Sequence, residues 1–214
     1  PIGDYTKIQS MYGKIIRNSK AQIWKLERSN KKYLNVGCGP NLNDKFINLD
    51  YQWRPSIDLC WDITKGLPLG DNLMKGIYTE HCLKHIPFEQ TQSVLKEFHR
   101  IMAPGGAVRI IVPDGELYLE LYARARNGEE VSFPYVTEDD IKAGFSPIIS
   151  VNRVFRNHGH LYAYDFDCLS LMLRNAGFEG ITKESFLAGR DDILLIDSET
   201  RKIESVYVEA TKAE

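Results

Sequence analysis

Residues 34–50 read LNVGCGPNLNDKFINLD, a short apolar run ending on two glycines and a second ending on an aspartate. Gly37 and Gly39 lack a Cβ, so the backbone there can turn sharply and lie flat against a ligand. An acid that closes the next strand can accept two hydrogen bonds from a ribose diol, which gives Asp50 a role. Asp62, one strand further on, is in reach of an amine or a base edge. Glu80 and His81 follow a later apolar run, and Asp114 follows another. Histidine exchanges protons near neutral pH, so His81, His158 and His160 are candidate general bases, with Asp114 as the carboxylate alternative. Structural roles compete with each of these. Asp114 after Pro113 serves equally as a helix cap, and His85 reads as a capping or core residue. The pair His158 and His160 does not by itself make a metal site, and hydrogen bonding to substrate or backbone is the favoured reading.

Strands must deliver these residues to one place. Short apolar runs at 33–36, 46–49, 57–61, 76–79, 107–112, 181–186 and 205–210 are the strand candidates, and 87–102, 115–126 and 166–176 are the helix candidates. The stretch APGG at 103–106 reads as a helix stop and turn, and NAGF at 175–178 ends a second helix at Gly177. Strand, helix, strand at this spacing predicts a mainly parallel sheet with helices on both faces. Ligands of such sheets bind beyond the carboxyl ends of the strands. The residues that follow the strands are Gly37, Cys38 and Gly39, then Asp50 and Tyr51, then Asp62, then Glu80 and His81, then Asp114.

Ahead of the first strand, residues 4–29 carry Ile8, Met11, Tyr12, Ile15, Ile16, Ile23 and Leu26 at helical spacing, which predicts one helix with an apolar stripe. Its other face holds Lys7, Lys14, Arg17, Lys20, Lys25 and Arg28. That face is read as the solvated side of a packed helix, because a net charge of -2 gives no global argument for nucleic acid or an anionic lipid surface. Scattered Cys38, Cys60, Cys82 and Cys168, without a C-x-x-C, point to reduced thiols in a cytoplasmic protein rather than to zinc or disulfides. No apolar run approaches the roughly 20 residues of a membrane span.

The order of these motifs resembles the class I S-adenosylmethionine-dependent methyltransferases, in particular the branch with the methyltransferase type 11 pattern. LNVGCGP is similar to the first motif and NLD to the acidic second one. DITKGLPLGDNLMKGIYTEHCLKHIP, LKEFHRIMAPGGAVRIIVPD and LSLMLRNAGF are similar to the segments that follow. The resemblance implies an α/β, Rossmann-like, doubly wound and mostly parallel seven-stranded sheet whose antiparallel last strand lies between the fifth and sixth. It also implies S-adenosylmethionine as cofactor. Gly37, Cys38 and Gly39 would pass under its methionine portion, and Asp50 with Tyr51 would meet the ribose. Asp62 and Ile63 would meet the adenine, and the backbone at Glu80 and His81 would close the site near the sulfonium. Two departures stand out. Asn35 and Asn41 replace an acid and a third glycine, so Asn35 accepts from the methionine ammonium without a charge. Only PNLNDKFINL separates Gly39 from Asp50, too short for a crossover helix, so a loop or single turn is expected there. That leaves one side of the crevice open or covered by the N-terminal helix.

Other chemistries fit less well. A dinucleotide dehydrogenase needs glycine at Leu42 and a helix N-terminus for pyrophosphate. A nucleic-acid amino-methyltransferase would show Asn/Asp-Pro-Pro-aromatic where TEHC stands. About fifty residues between the fifth strand and the LSLMLRNAGF helix form an insertion over the crevice, far above the usual loop. It is rich in aromatics and includes Tyr118, Arg153, Arg156 and Tyr162 as candidate substrate contacts, a composition suited to sugars or planar metabolites. The chain is thus expected to be one domain over 1–214, with an N-terminal helix (1–31), a cofactor half (33–114), the insertion (115–164) and a C-terminal helix and strand pair (165–214). The expected activity is methyl transfer to a small-molecule acceptor, with a sugar or glycan-precursor hydroxyl as the class that the insertion's composition suits. An inactive binding or scaffold protein of the same fold is the alternative. An RNA-binding enzyme using the basic helix is the third reading.

Overall fold

The computed structural model describes residues 7–27 and 29–214. Seven strands form one sheet: β1 (Tyr33–Val36), β2 (Phe46–Asp50), β3 (Leu59–Cys60), β4 (Met74–Glu80), β5 (Met102–Pro113), β6 (Glu179–Glu184) and β7 (Ser205–Thr211). Their order is β3-β2-β1-β4-β5-β7-β6. The β1–β5 pairings are parallel, and β7 runs antiparallel between β5 and β6. This is the α/β Rossmann-like, doubly wound, seven-stranded sheet expected from the motif order. The strand order reverses at β1 and β4, which opens a crevice beyond their carboxyl ends.

The β1–β2 connection contains no helix. Asn48 of β2, buried at 3% exposure, does the holding instead. Its Oδ1 accepts from the Asn43 N–H at 2.9 Å, and its Nδ2 donates to the Asn43 carbonyl at 2.8 Å. One amide thereby satisfies the backbone of a loop that has no helix to do so. In β5, residues 103–106 bulge out between the pairs Met74–Met102 and Gly76–Ala107, so the expected turn is a bulge inside a longer strand.

Alternation along the strands sorts two faces. Leu34, Ile77, Val108 and Ile110 pack against Leu95 and Phe98 of α3 (Phe88–Ile101) and Leu169 and Leu173 of α7 (Phe166–Ala176). Tyr78, Ile111 and Tyr207 face the other way, against Leu194 and Phe186 of the β6–β7 connection. Arg109 lies on this second face with no exposure. Its Nε and one terminal nitrogen bond Asp197 at 2.8 and 2.5 Å, and the other terminal nitrogen bonds Glu209 at 2.8 Å. The carbonyls of Ala188 and Ser185, each at 2.9 Å, take the remaining two N–H groups. All five guanidinium protons are accepted, and the connection is clamped to the sheet.

The insertion folds as α4 (Gly115–Arg126), α5 (Glu138–Lys142) and α6 (Pro147–Arg156) around Tyr118, Leu121, Phe133 and Val154.

The N-terminal segment departs from expectation. The single helix over 4–29 is divided into α1 (Lys7–Ile16), a 3-10 turn and α2 (Ile23–Glu27); residues 4–6 and Arg28 lie outside the described residues. The break falls at Asn18, with φ of 61° and a side chain that accepts the Asp62 N–H at 2.8 Å. Gln22 then pairs with Cys60 as a strand would, accepting its N–H at 2.8 Å and donating to its carbonyl at 3.2 Å. This blunts the edge strand β3. The α1 part of the apolar stripe is not packed either, because Ile8, Met11 and Ile15 are exposed, whereas Leu26 of α2 joins the core. Gly13, on the opposite side, is the residue of α1 that is buried.

Candidate functional site

Gly37 and Gly39 take φ of +71° and +51°. A Cβ at Gly37 would stand 2.6 Å from the Cβ and Sγ of Cys82, so no larger residue fits. The turn points the Gly39 N–H at Asp50 Oδ2, 2.8 Å away, while Asp50 Oδ1 accepts the Gln52 N–H at 2.7 Å. Burial pushes the Asp50 carboxyl up, and these two N–H groups pull it back down. Each oxygen keeps accepting capacity for a ligand. Asp62 Oδ1 is taken by the N–H and hydroxyl of Thr64 at 3.0 and 2.7 Å, which leaves Oδ2 without a partner among the described residues. Ile63 is buried beside it, and the Tyr51 ring lies exposed under the Arg17 guanidinium at 3.5 Å.

A small pocket of about 140 Å³ adjoins this turn, lined by Asn35, Tyr78, Glu80 and Ser198 among others. The Tyr78 hydroxyl is buried there beside Glu80, with no hydrogen bond of good geometry among the described residues. Asn35 donates to the Asn41 carbonyl at 3.0 Å. The Glu80 carboxylate is oriented by the Ser198 N–H at 2.9 Å and its hydroxyl at 2.5 Å.

A larger cavity of about 670 Å³ opens between the strand ends and the insertion. It brings together Gly37, Cys38, Gly39, Glu80 and His81 with Tyr118, Arg153, His158 and His160 of the insertion. Asp114, Arg156 and Tyr162 do not line it. Asp114 caps α4 through the Glu116 N–H at 3.1 Å, Arg156 is exposed, and Tyr162 stacks on Phe88 at 4.4 Å. Arg153 reaches the wall while held by Asp140 at 2.5 and 3.1 Å.

Polar groups of the cavity are wired in a definite direction. The Ser205 hydroxyl donates to the Arg201 carbonyl at 2.8 Å. It therefore accepts from His81 Nε2–H, also at 2.8 Å, which leaves Nδ1 to accept from Lys84 Nζ at 2.9 Å. Burial and the adjacent Lys84 hold His81 far below its usual range, so the ring is neutral. Both its nitrogens are engaged. Lys84 is 4% exposed, and burial lowers its pKa to about 8, opposed by the charge of Glu204. His81 takes one of its three protons; the others have no partner among the described residues. Glu204 itself accepts the Tyr118 hydroxyl at 2.8 Å and lies 3.5 Å from Arg201.

His160 Nδ1 donates to the Val154 carbonyl at 2.7 Å, and His85 Nδ1 to the Gly159 carbonyl at 3.2 Å. Their rings meet edge to face at 5.1 Å. Burial lowers His160 to about 4 and His85 in the same direction, so each presents Nε2 as an acceptor. His85, expected in a cap or the core, lines the cavity. Lys84, Glu204 and Arg201 carried no sequence signal except that Lys84 stands between two histidines in HCLKH.

No family model matches the sequence, and no curated protein matches it. Solved structures do. A SAM-dependent methyltransferase from Archaeoglobus fulgidus superposes with a TM-score of 0.54 at 14% identity, over 95% of this chain and 94% of that one. One from Thermotoga maritima, described as a possible histamine N-methyltransferase, gives 0.52 at 16% identity, over 90% and 89%. An S-adenosylmethionine-dependent methyltransferase from Mesorhizobium loti gives 0.50 at 13%, over 90% and 96%. The chain has the Rossmann-like fold of these methyltransferases.

Proposed function

We propose that this chain is an S-adenosylmethionine-dependent methyltransferase acting on a small-molecule acceptor, with a sugar or glycan-precursor hydroxyl as the favoured class. The observation that carries the reading is Asp50, whose carboxylate is fixed by two backbone N–H groups at the end of β2 and retains capacity for a ribose diol. Gly37 lets the turn pack on Cys82, Gly39 gives the clearance, and Asp62 with Ile63 receives the adenine. The small pocket suits the amino-acid end. There Glu80 supplies the negative charge that Asn35 lacks, and the unbonded Tyr78 hydroxyl gains a partner.

When bound, S-adenosylmethionine supplies an electrophilic methyl group. The protein must hold a nucleophile in line with it and take the proton that the nucleophile loses. His81 has no free nitrogen for that task and acts by orienting Lys84. Neutral Lys84, available near its pKa of about 8, accepts the proton at Nζ. His160 Nε2 and His85 Nε2, beside Lys84, hold the acceptor's hydroxyl protons.

The test is a transfer assay with labelled S-adenosylmethionine against a panel of sugar metabolites. The reading expects labelled product from the wild type and at least about a hundredfold less from Lys84→Met, the loss typical of a positioned base. Cofactor binding with no transfer to any acceptor would favour the second reading, an inactive binding protein, which rests on Asn35 and the helix-free β1–β2 connection.

A further inference from the structure

α1 is amphipathic yet seated with its apolar side outward. Gly13, its buried residue, lies against Trp53, whose Cβ and backbone nitrogen would stand 3.2 Å from a Cβ placed there. On the opposite side Ile8, Met11 and Ile15 are 75%, 63% and 71% exposed, and Tyr12, at the edge of the face with its ring edge-on to Trp53 at 4.6 Å, is 45% exposed. Single exposed apolar residues need no explanation, but a continuous stripe along a ten-residue helix marks a contact surface. Lys7 and Lys14, seven residues apart, share one flank of this stripe and are exposed, as is Lys20 in the 3-10 turn beyond the break at Asn18. α1 contains no acidic residue.

We propose that this face docks on an anionic phospholipid surface. α1 would lie in the plane of the interface, with Ile8, Met11 and Ile15 among the upper acyl carbons and Tyr12 at headgroup level. Lys7, Lys14 and Lys20 would meet lipid phosphates. Charge argues against a second copy of the chain: a twofold contact with the helices antiparallel brings Lys7 and Lys14 of one copy onto those of the other, and in either sense of pairing α1 offers no acid to meet them. No helix among the described residues is long and apolar enough to cross a membrane. The attachment is independent of the cavity and of the reaction assigned to it.

Co-sedimentation of the full chain with vesicles tests this, using phosphatidylcholine alone and phosphatidylcholine with roughly a quarter phosphatidylglycerol. The protein should pellet with the anionic vesicles and not with the neutral ones. Ile8→Ser with Ile15→Ser should lower the partition roughly tenfold or more. Lys7→Gln with Lys14→Gln should lower it by a smaller factor, and added salt should do the same to the wild type. All four positions are exposed, so thermal melts of the variants should match the wild type. Failure to pellet with anionic vesicles, or equal pelleting of the double serine variant, overturns the proposal. So does concentration-dependent dimerisation by light scattering that the double serine substitution abolishes, which would assign the face to a second copy.

Discussion

Arg109 and Lys84 are both buried cations at the sheet, and they differ in what is left over once their protons are counted. Arg109 has five N–H groups and five acceptors, shared among two carboxylates and two carbonyls. Nothing remains for a ligand, and the group joins the β6–β7 connection to β5. Lys84 has one acceptor among the described residues, a neutral histidine, and sits on the wall of a cavity. A closed network fixes a structure; an open one is kept at the expense of stability, as at sites that bind or react. The contrast separates the polar residues that build this fold from those that serve its site.

The largest effect should come from breaking the closed network. Arg109→Met leaves Asp197 and Glu209 buried without their cation, and should lower unfolding free energy by about 3–5 kcal/mol in urea titration. A loss below about 1 kcal/mol would mean that the clamp is not structural. Lys84→Met should do the reverse, leaving stability at neutral pH unchanged or raised. The pH dependence sharpens this. An unfolded lysine keeps its proton up to about 10.5, whereas folded Lys84 releases it above about 8. Between those values the unfolded state binds more protons, so stability rises with pH, by up to roughly 3 kcal/mol from this group. Denaturation curves across that window should show the rise in the wild type and lose this component in Lys84→Met. A smaller pair lies in the glycine turn. Gly37→Ala meets Cys82 and should cost about 2–3 kcal/mol, whereas Gly39→Ala has open space and should cost only about 1 kcal/mol for its positive φ. Equal costs in thermal melts would contradict the assigned crowding.

What could be read in the sequence was whatever depends on near neighbours. The short apolar runs of β1, β2 and β4, the stop at Gly177 and the helix-free stretch before Asp50 all follow from local spacing. The inverted seating of α1 did not follow, because a stripe at helical spacing does not say which side a single glycine will turn inward. Arg109 hides in a strand pattern and finds its acids 88 and 100 residues later. Lys84 and His81 likewise depend on Glu204 and Ser205, delivered by β7 from far along the chain. Asp114 shows the opposite limit: its local reading as a helix cap and its reading as a base were equal on sequence, and the structure places it at the start of α4, off the cavity wall.

The proposed function requires the crevice at β1 and β2 to hold S-adenosylmethionine. Calorimetric titration of the full chain with S-adenosylmethionine and S-adenosylhomocysteine, beside Asp50→Ala, is the decisive experiment. Binding in the micromolar range that Asp50→Ala weakens by about a hundredfold, ~2.7 kcal/mol, is the expected result. Binding unaffected by Asp50→Ala, or none to the wild type at millimolar ligand, would contradict it.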